Sequence, residues 1–113
     1  MTRQKHLPNL VPPPKVAANA RQGLQLREKF SRGGTDVGVR RAQGLAASHV
    51  IAPEEAAQIA SYFARHAVDK QAQSHEWGDT DNPSAGFIAW LLWGGEEGEA
   101  WAKKLKDEFD KTE

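Results

Sequence analysis

The large apolar residues of this chain are concentrated in one run, Phe87-Ile88-Ala89-Trp90-Leu91-Leu92-Trp93, within an otherwise polar sequence. The run has a start and a stop. Asn82 reads as an N-cap with Pro83 at the first helical position, and Gly94-Gly95 closes it. Its apolar residues cover nearly the whole circumference, which is the pattern of a helix buried on all sides. The spacing predicts a central helix, with Trp90 and Trp93 three residues apart and turned into the core.

Weaker helical stripes flank it. Residues 15–30 place Val16, Ala20 and Leu24 on one side, interrupted by Gly23, with Phe30 beyond. Ser31-Arg32-Gly33-Gly34-Thr35 then predicts a glycine αL cap and a restart, with Thr35 or Asp36 as the next N-cap. A second helix is expected over 36–47. A third begins at Pro53, carries Glu54 and Glu55 in its first turn, and continues through Ala56, Ile59, Ala60 and Phe63. Residues 71–81 are polar and acidic and read as a loop. A fifth helix over 96–110 presents Trp101, Leu105 and Phe109, and Glu99 and Lys103 form an i,i+4 pair. The only β-like fragments, Val37-Gly38-Val39 and His49-Val50-Ile51, are too short for strands. Residues 1–14 hold four of the six prolines and are expected to form an extended arm. The expected fold is therefore all-α: a small bundle of about five helices around a central Trp-rich helix (15–113), preceded by a Pro-rich extended N-terminal arm (1–14).

Composition narrows the function classes. The mean hydropathy is −0.67, and no apolar run approaches the roughly 18 residues of a membrane span. The basic N-terminus lacks a following apolar stretch, so no secretory signal is expected. The chain has no cysteine, which excludes disulfides and thiolate metal sites. Its formal charge of zero hides a division. Through Val50, nine bases face two acids, a balance of +7; from Ile51 onward, six bases face thirteen acids, a balance of −7. Such asymmetry points either to a nucleic-acid-facing end or to neutralisation between the halves.

Four groups of residues could carry chemistry. The loop with Gly33 and Gly34, opening a helix that carries Arg40 and Arg41, could admit a phosphate, although it lacks the Gly-Lys-Ser/Thr ending of a Walker loop. Arg21, Arg27, Arg32, Arg40 and Arg41, with Lys15, Lys29 and the arm's Arg3 and Lys5, could share a face and meet phosphates or an acidic protein surface. His66, Asp69, His75, Glu76, Asp79 and Asp81 are potential metal ligands but match no ligand spacing; His66 could instead cap the third helix or pack with Tyr62. Trp77, in the polar loop, is the aromatic expected to contact a partner. No catalytic motif is present, and neither a cofactor nor a resident metal is expected.

The chain resembles a small module of tailed bacteriophages and prophages. Three stretches carry the resemblance: 20–42, from Ala20-Arg21 through Arg32-Gly33-Gly34-Thr35 to Arg40-Arg41-Ala42; Ala60-Ser61-Tyr62-Phe63-Ala64-Arg65-His66 with Val68-Asp69-Lys70; and Pro83-Ser84-Ala85-Gly86 with Ile88-Ala89-Trp90-Leu91-Leu92-Trp93-Gly94-Gly95, followed by Gly98 and Trp101-Ala102. Ala52 departs from the Ser N-cap expected before Pro53. The resemblance implies a phage origin and a role among head or packaging functions, and it brings no catalytic residues.

The leading expectation is a non-enzymatic helical module that binds a phage structural protein or a nucleic-acid phosphate backbone, in the host cytoplasm or the virion, with oligomerisation left open. The alternatives are a host-directed regulator or inhibitor acting through the acidic face from Glu76 to Glu99, and a metal-dependent nuclease-like enzyme using His66, Asp69, His75 and Asp79.

Overall fold

A computed structural model describes residues 10–71 and 77–111. Among these residues there are five α-helices and no strand: α1 (Pro14–Phe30), α2 (Asp36–Ala46), α3 (Pro53–His66), α4 (Ala85–Leu92) and α5 (Gly95–Lys111). A 3-10 turn over Ala67–Gln71 extends α3. The all-helical reading therefore holds. Residues 1–9 of the expected arm lie outside the described residues. What is described of it, Leu10 to Pro13, leads into α1, and Leu10 accepts a hydrogen bond from the Ile51 amide at 3.0 Å.

The helix starts are set by local chemistry, and two differ from expectation. The N-cap of α4 is Ser84, whose hydroxyl accepts from the Phe87 amide at 3.0 Å. Asn82, the expected cap, belongs instead to a turn in which the Asp79 carboxylate accepts from the amides of Asp81 and Asn82. Pro83 is thus buried ahead of the cap rather than inside the helix. At the end of α1 the αL position is taken by Ser31 (φ 53°, ψ 44°), not by a glycine. Thr35 caps α2 by accepting from the Gly38 amide at 3.2 Å. Ala52 has no side-chain oxygen to cap α3, so Glu55 does half of the work by accepting from the Ala52 amide at 2.7 Å.

α1 packs against α2 and α4, α3 packs against α5, and α4 touches each of the other four helices. The main core joins Val16 and Ala20 of α1, Leu45 of α2, Ile59 and Phe63 of α3, Trp90 and Leu92 of α4, and Leu105 of α5. A smaller cluster joins Leu26 to Ile88 and Leu91. Trp90 is 1% exposed and meets the edge of Phe63 with ring centroids 4.6 Å apart.

Gly23, which reads as a weak point in the α1 stripe, is where α4 rests. A methyl group there would stand 2.8 Å from the Leu92 nitrogen and 3.0 Å from the Leu91 carbonyl carbon. Both are backbone atoms and cannot swing aside. Gly44, inside α2, has open space around its Cβ direction. The two glycines therefore respond oppositely to alanine. Gly23→Ala should cost about 1–3 kcal/mol through overpacking. Gly44→Ala should stabilise by up to about 1 kcal/mol through helix propensity. Urea unfolding monitored by circular dichroism checks both.

Candidate functional site

The arginines expected to form a phosphate-binding face are distributed among structural contacts. Arg21 donates to the Ala46 carbonyl at 2.9 Å, near the C-terminus of α2. Arg27 donates through Nε to the Gly33 carbonyl at 2.9 Å. Arg32 donates to the Pro83 carbonyl at 2.8 Å, tying the α1–α2 loop to the start of α4. Arg41 is paired with Glu55 and also donates to Gln58 at 3.0 Å. Arg40 is exposed. Arg27 and Arg32 line one hollow, and Arg40 and Arg41 line another.

The glycine loop is likewise explained by packing. Gly33 and Gly34 have positive φ (93° and 80°) and lie under α4, where a Cβ would come within 2.6 Å of Ile88 and 2.4 Å of Leu92 respectively. A hollow of about 500 Å³ does open beside them, lined by Arg27, Ser31, Arg32 and the two glycines. Glu28 also lines it, and the two guanidiniums are turned to carbonyl oxygens. That arrangement braces the loop.

The aromatic expected at a partner surface is packed inward. Trp77 meets Phe87 edge-on at 5.2 Å and Trp90 edge-on at 5.5 Å. Trp93, at the C-cap of α4, packs against the main core and is half-buried, as Trp77 is. Its ring stacks on Tyr62 at 4.5 Å with the planes 5° apart, and the Arg41 guanidinium lies 5.5 Å over it. Tyr62 stacks in turn with His66 at 4.4 Å, the packing alternative raised for that histidine. His66 Nδ1 is 3.2 Å from the Asp69 carboxylate. Three elements therefore supply one continuous stack of Arg41, Trp93, Tyr62 and His66. Burial, reinforced by the nearby Asp69 charge, raises the Tyr62 phenol above its ordinary pKa, so it stays protonated.

This stack walls a two-part groove between α2, α3 and α4. One hollow, of about 500 Å³, reaches from Thr35 and Val37 past Tyr62 and His66 to Asp69 and Ala89. The other, of about 480 Å³, is lined by Val37, Ala57, Gln58, Ser61 and Arg65. Trp93, Val37 and Arg65 border both hollows, which makes them neighbours along one seam. Val37 is 52% exposed there. Periodicity assigns Val37 to an apolar helix side and Trp93 to a core, so the groove is visible only once α2, α3 and α4 are assembled.

Among the described residues no group of three or more His, Asp or Glu is placed to hold a metal ion. His75 and Glu76 lie outside the described residues. No described helix is long and apolar enough to cross a membrane. Comparison with protein-family models, with curated proteins and with solved structures returns no significant match.

The Arg41–Glu55 contact supporting the stack has a pH signature. The Ala52 amide, and then Arg41, hold the Glu55 carboxyl below its usual pKa. A lowered folded-state pKa adds stability above the unfolded value and loses it as pH falls through the folded value. Stability should therefore decline on acidification below about pH 5, and the decline should be shallower in Glu55→Gln. Thermal melts of both proteins between pH 3 and 7 check this.

Proposed function

We propose that this chain is a non-enzymatic helical module that binds a protein partner through the groove between α2, α3 and α4, with α4 as the axis of its bundle. The observation that carries this reading is the pair of half-buried rings, Trp93 and His66, stacked on buried Tyr62 and bordered by exposed Val37 and the two hollows. Rigid aromatic walls beside open apolar space are the ordinary makings of a recognition surface. Protein is favoured over nucleic acid because Arg21, Arg27, Arg32 and Arg41 already hold carbonyls or a carboxylate of their own chain. A phage origin and a place in head assembly or the virion belong to this proposal through the sequence resemblance. In that setting the proline-rich arm would lie along a neighbouring subunit.

Two measurements test it. In a gel-shift assay at low salt, neither duplex nor single-stranded DNA should be retarded. Retardation that falls steeply with salt and is lost in Arg40→Ala would favour the phosphate reading instead. A photo-cross-linking amino acid at position 37 should capture one protein species from cells making the virion. The same group at position 104, on exposed α5, should not. Arg32→Ala should lower stability by about 1–2 kcal/mol and leave cross-linking from position 37 intact at a temperature where the variant is folded.

A further inference from the structure

We infer that the hollow beside the α1–α2 loop is a binding site for a phosphate monoester, either inorganic phosphate or the phosphate of a small molecule. The hollow lies outside the aromatic groove, with Gly34 alone bordering both, and its use does not depend on a protein partner.

Ile88 and Leu92 of α4 occupy the Cβ directions of Gly33 and Gly34, so a side chain at either position would clash. Bare backbone therefore lines the hollow there. The amides of Gly33 and Gly34 meet no acceptor among the described residues. Successive amides in a turn conformation are the usual makings of an anion-binding concavity.

Arg27 supplies charge at the same place. Its Nε donates to the Gly33 carbonyl at 2.9 Å, which ties the guanidinium to the loop. Its two terminal nitrogens meet no acceptor among the described residues, so most of the fork's donors are still available. Arg32 brings a second guanidinium to the lining, anchored on the Pro83 carbonyl at 2.8 Å. Glu28 is the one acid there, so two cations stand against one anion.

This donor set selects among anions. An arginine fork alone satisfies the two oxygens of a carboxylate. Here two loop amides join the fork, and together they suit an anion with more than two oxygens. A phosphodiester inside a nucleic-acid strand offers two unesterified oxygens. A monoester offers three and, near neutral pH, most of a second charge. The monoester is the better match. The hollow, of about 500 Å³, also has room for an organic group behind the phosphate.

Amide NMR of the full chain tests this. Inorganic phosphate, phenyl phosphate, dimethyl phosphate and acetate are each titrated at constant ionic strength and about pH 7.5, where the monoester carries its second charge. Inorganic and phenyl phosphate should give saturable shifts centred on Gly33 and Gly34. Dimethyl phosphate and acetate should bind about tenfold more weakly, the scale of one lost charge-assisted hydrogen bond. Tighter binding of phenyl than of inorganic phosphate assigns the site to a small organic phosphate; equal or weaker binding assigns it to inorganic phosphate. Arg27→Gln should weaken phosphate binding about tenfold. Arg21→Gln, which removes the same charge from α1 outside the hollow, should leave it unchanged. Should Arg27→Gln fail to fold, Arg27→Lys keeps the charge, loses the fork and should weaken binding in the same direction. The inference is overturned by equal affinity for all four anions, by the absence of saturable shifts at residues 33 and 34, or by unchanged phosphate binding in the folded Arg27 variant.

Discussion

The close approach of α4 to α1 at Gly23 is the constraint on which the rest of the arrangement depends. With the Leu91–Leu92 backbone set directly on a residue without a side chain, α4 sits deep enough for Trp90 to meet Phe63. The same depth brings Ile88 and Leu92 down onto Gly33 and Gly34. Three glycines therefore accommodate one short helix. A chain of 113 residues has a limited core, and backbone-to-backbone contact is one way to bury large aromatic side chains without widening the fold.

Seating a helix this deeply forces the connecting loops into tight bends, and their carbonyls must find donors. Arginine suits that task because its planar fork reaches several ångströms while its stem covers apolar surface. Arg27, Arg32 and Arg21 each brace a loop or helix-end carbonyl in this way. Four of the nine bases in the first half, Arg21, Arg27, Arg32 and Arg41, thus have structural contacts within the chain. One of its charges, Arg41, neutralises Glu55 of the acidic half directly.

The sequence was legible where one residue's role is decided by its near neighbours. Helix positions, the restart at Thr35 and the absence of strands among the described residues all follow from periodicity and caps. It was less legible where the deciding atom is distant in sequence. Asn82 and Ser84 are both good N-caps, and the choice falls to Ser84 because Asp79 draws the Asn82 amide into a turn. Gly23 looks like a helix breaker until the backbone of residues 91 and 92 is placed against it. Trp77 and Trp93 both end half-buried against the main core for a related reason. The Trp77 ring meets Trp90 and Phe87, and Trp93, at the C-cap of α4, stacks on Tyr62.

The place of Trp93 explains why the groove exists. A tryptophan at the C-cap of a buried helix is carried to the seam between α2 and α3, where neither helix can enclose it. Tyr62 and Arg41 cover part of the ring and hold it in one orientation. Arg41 is itself held by Glu55 and Gln58, so each layer of the stack is fixed by another contact. A surface made rigid in this way loses little side-chain entropy when something docks on it, and that loss is among the main costs of association. The contacts that hold Arg41 to Glu55 and Gln58 therefore also fix the neighbouring aromatic wall.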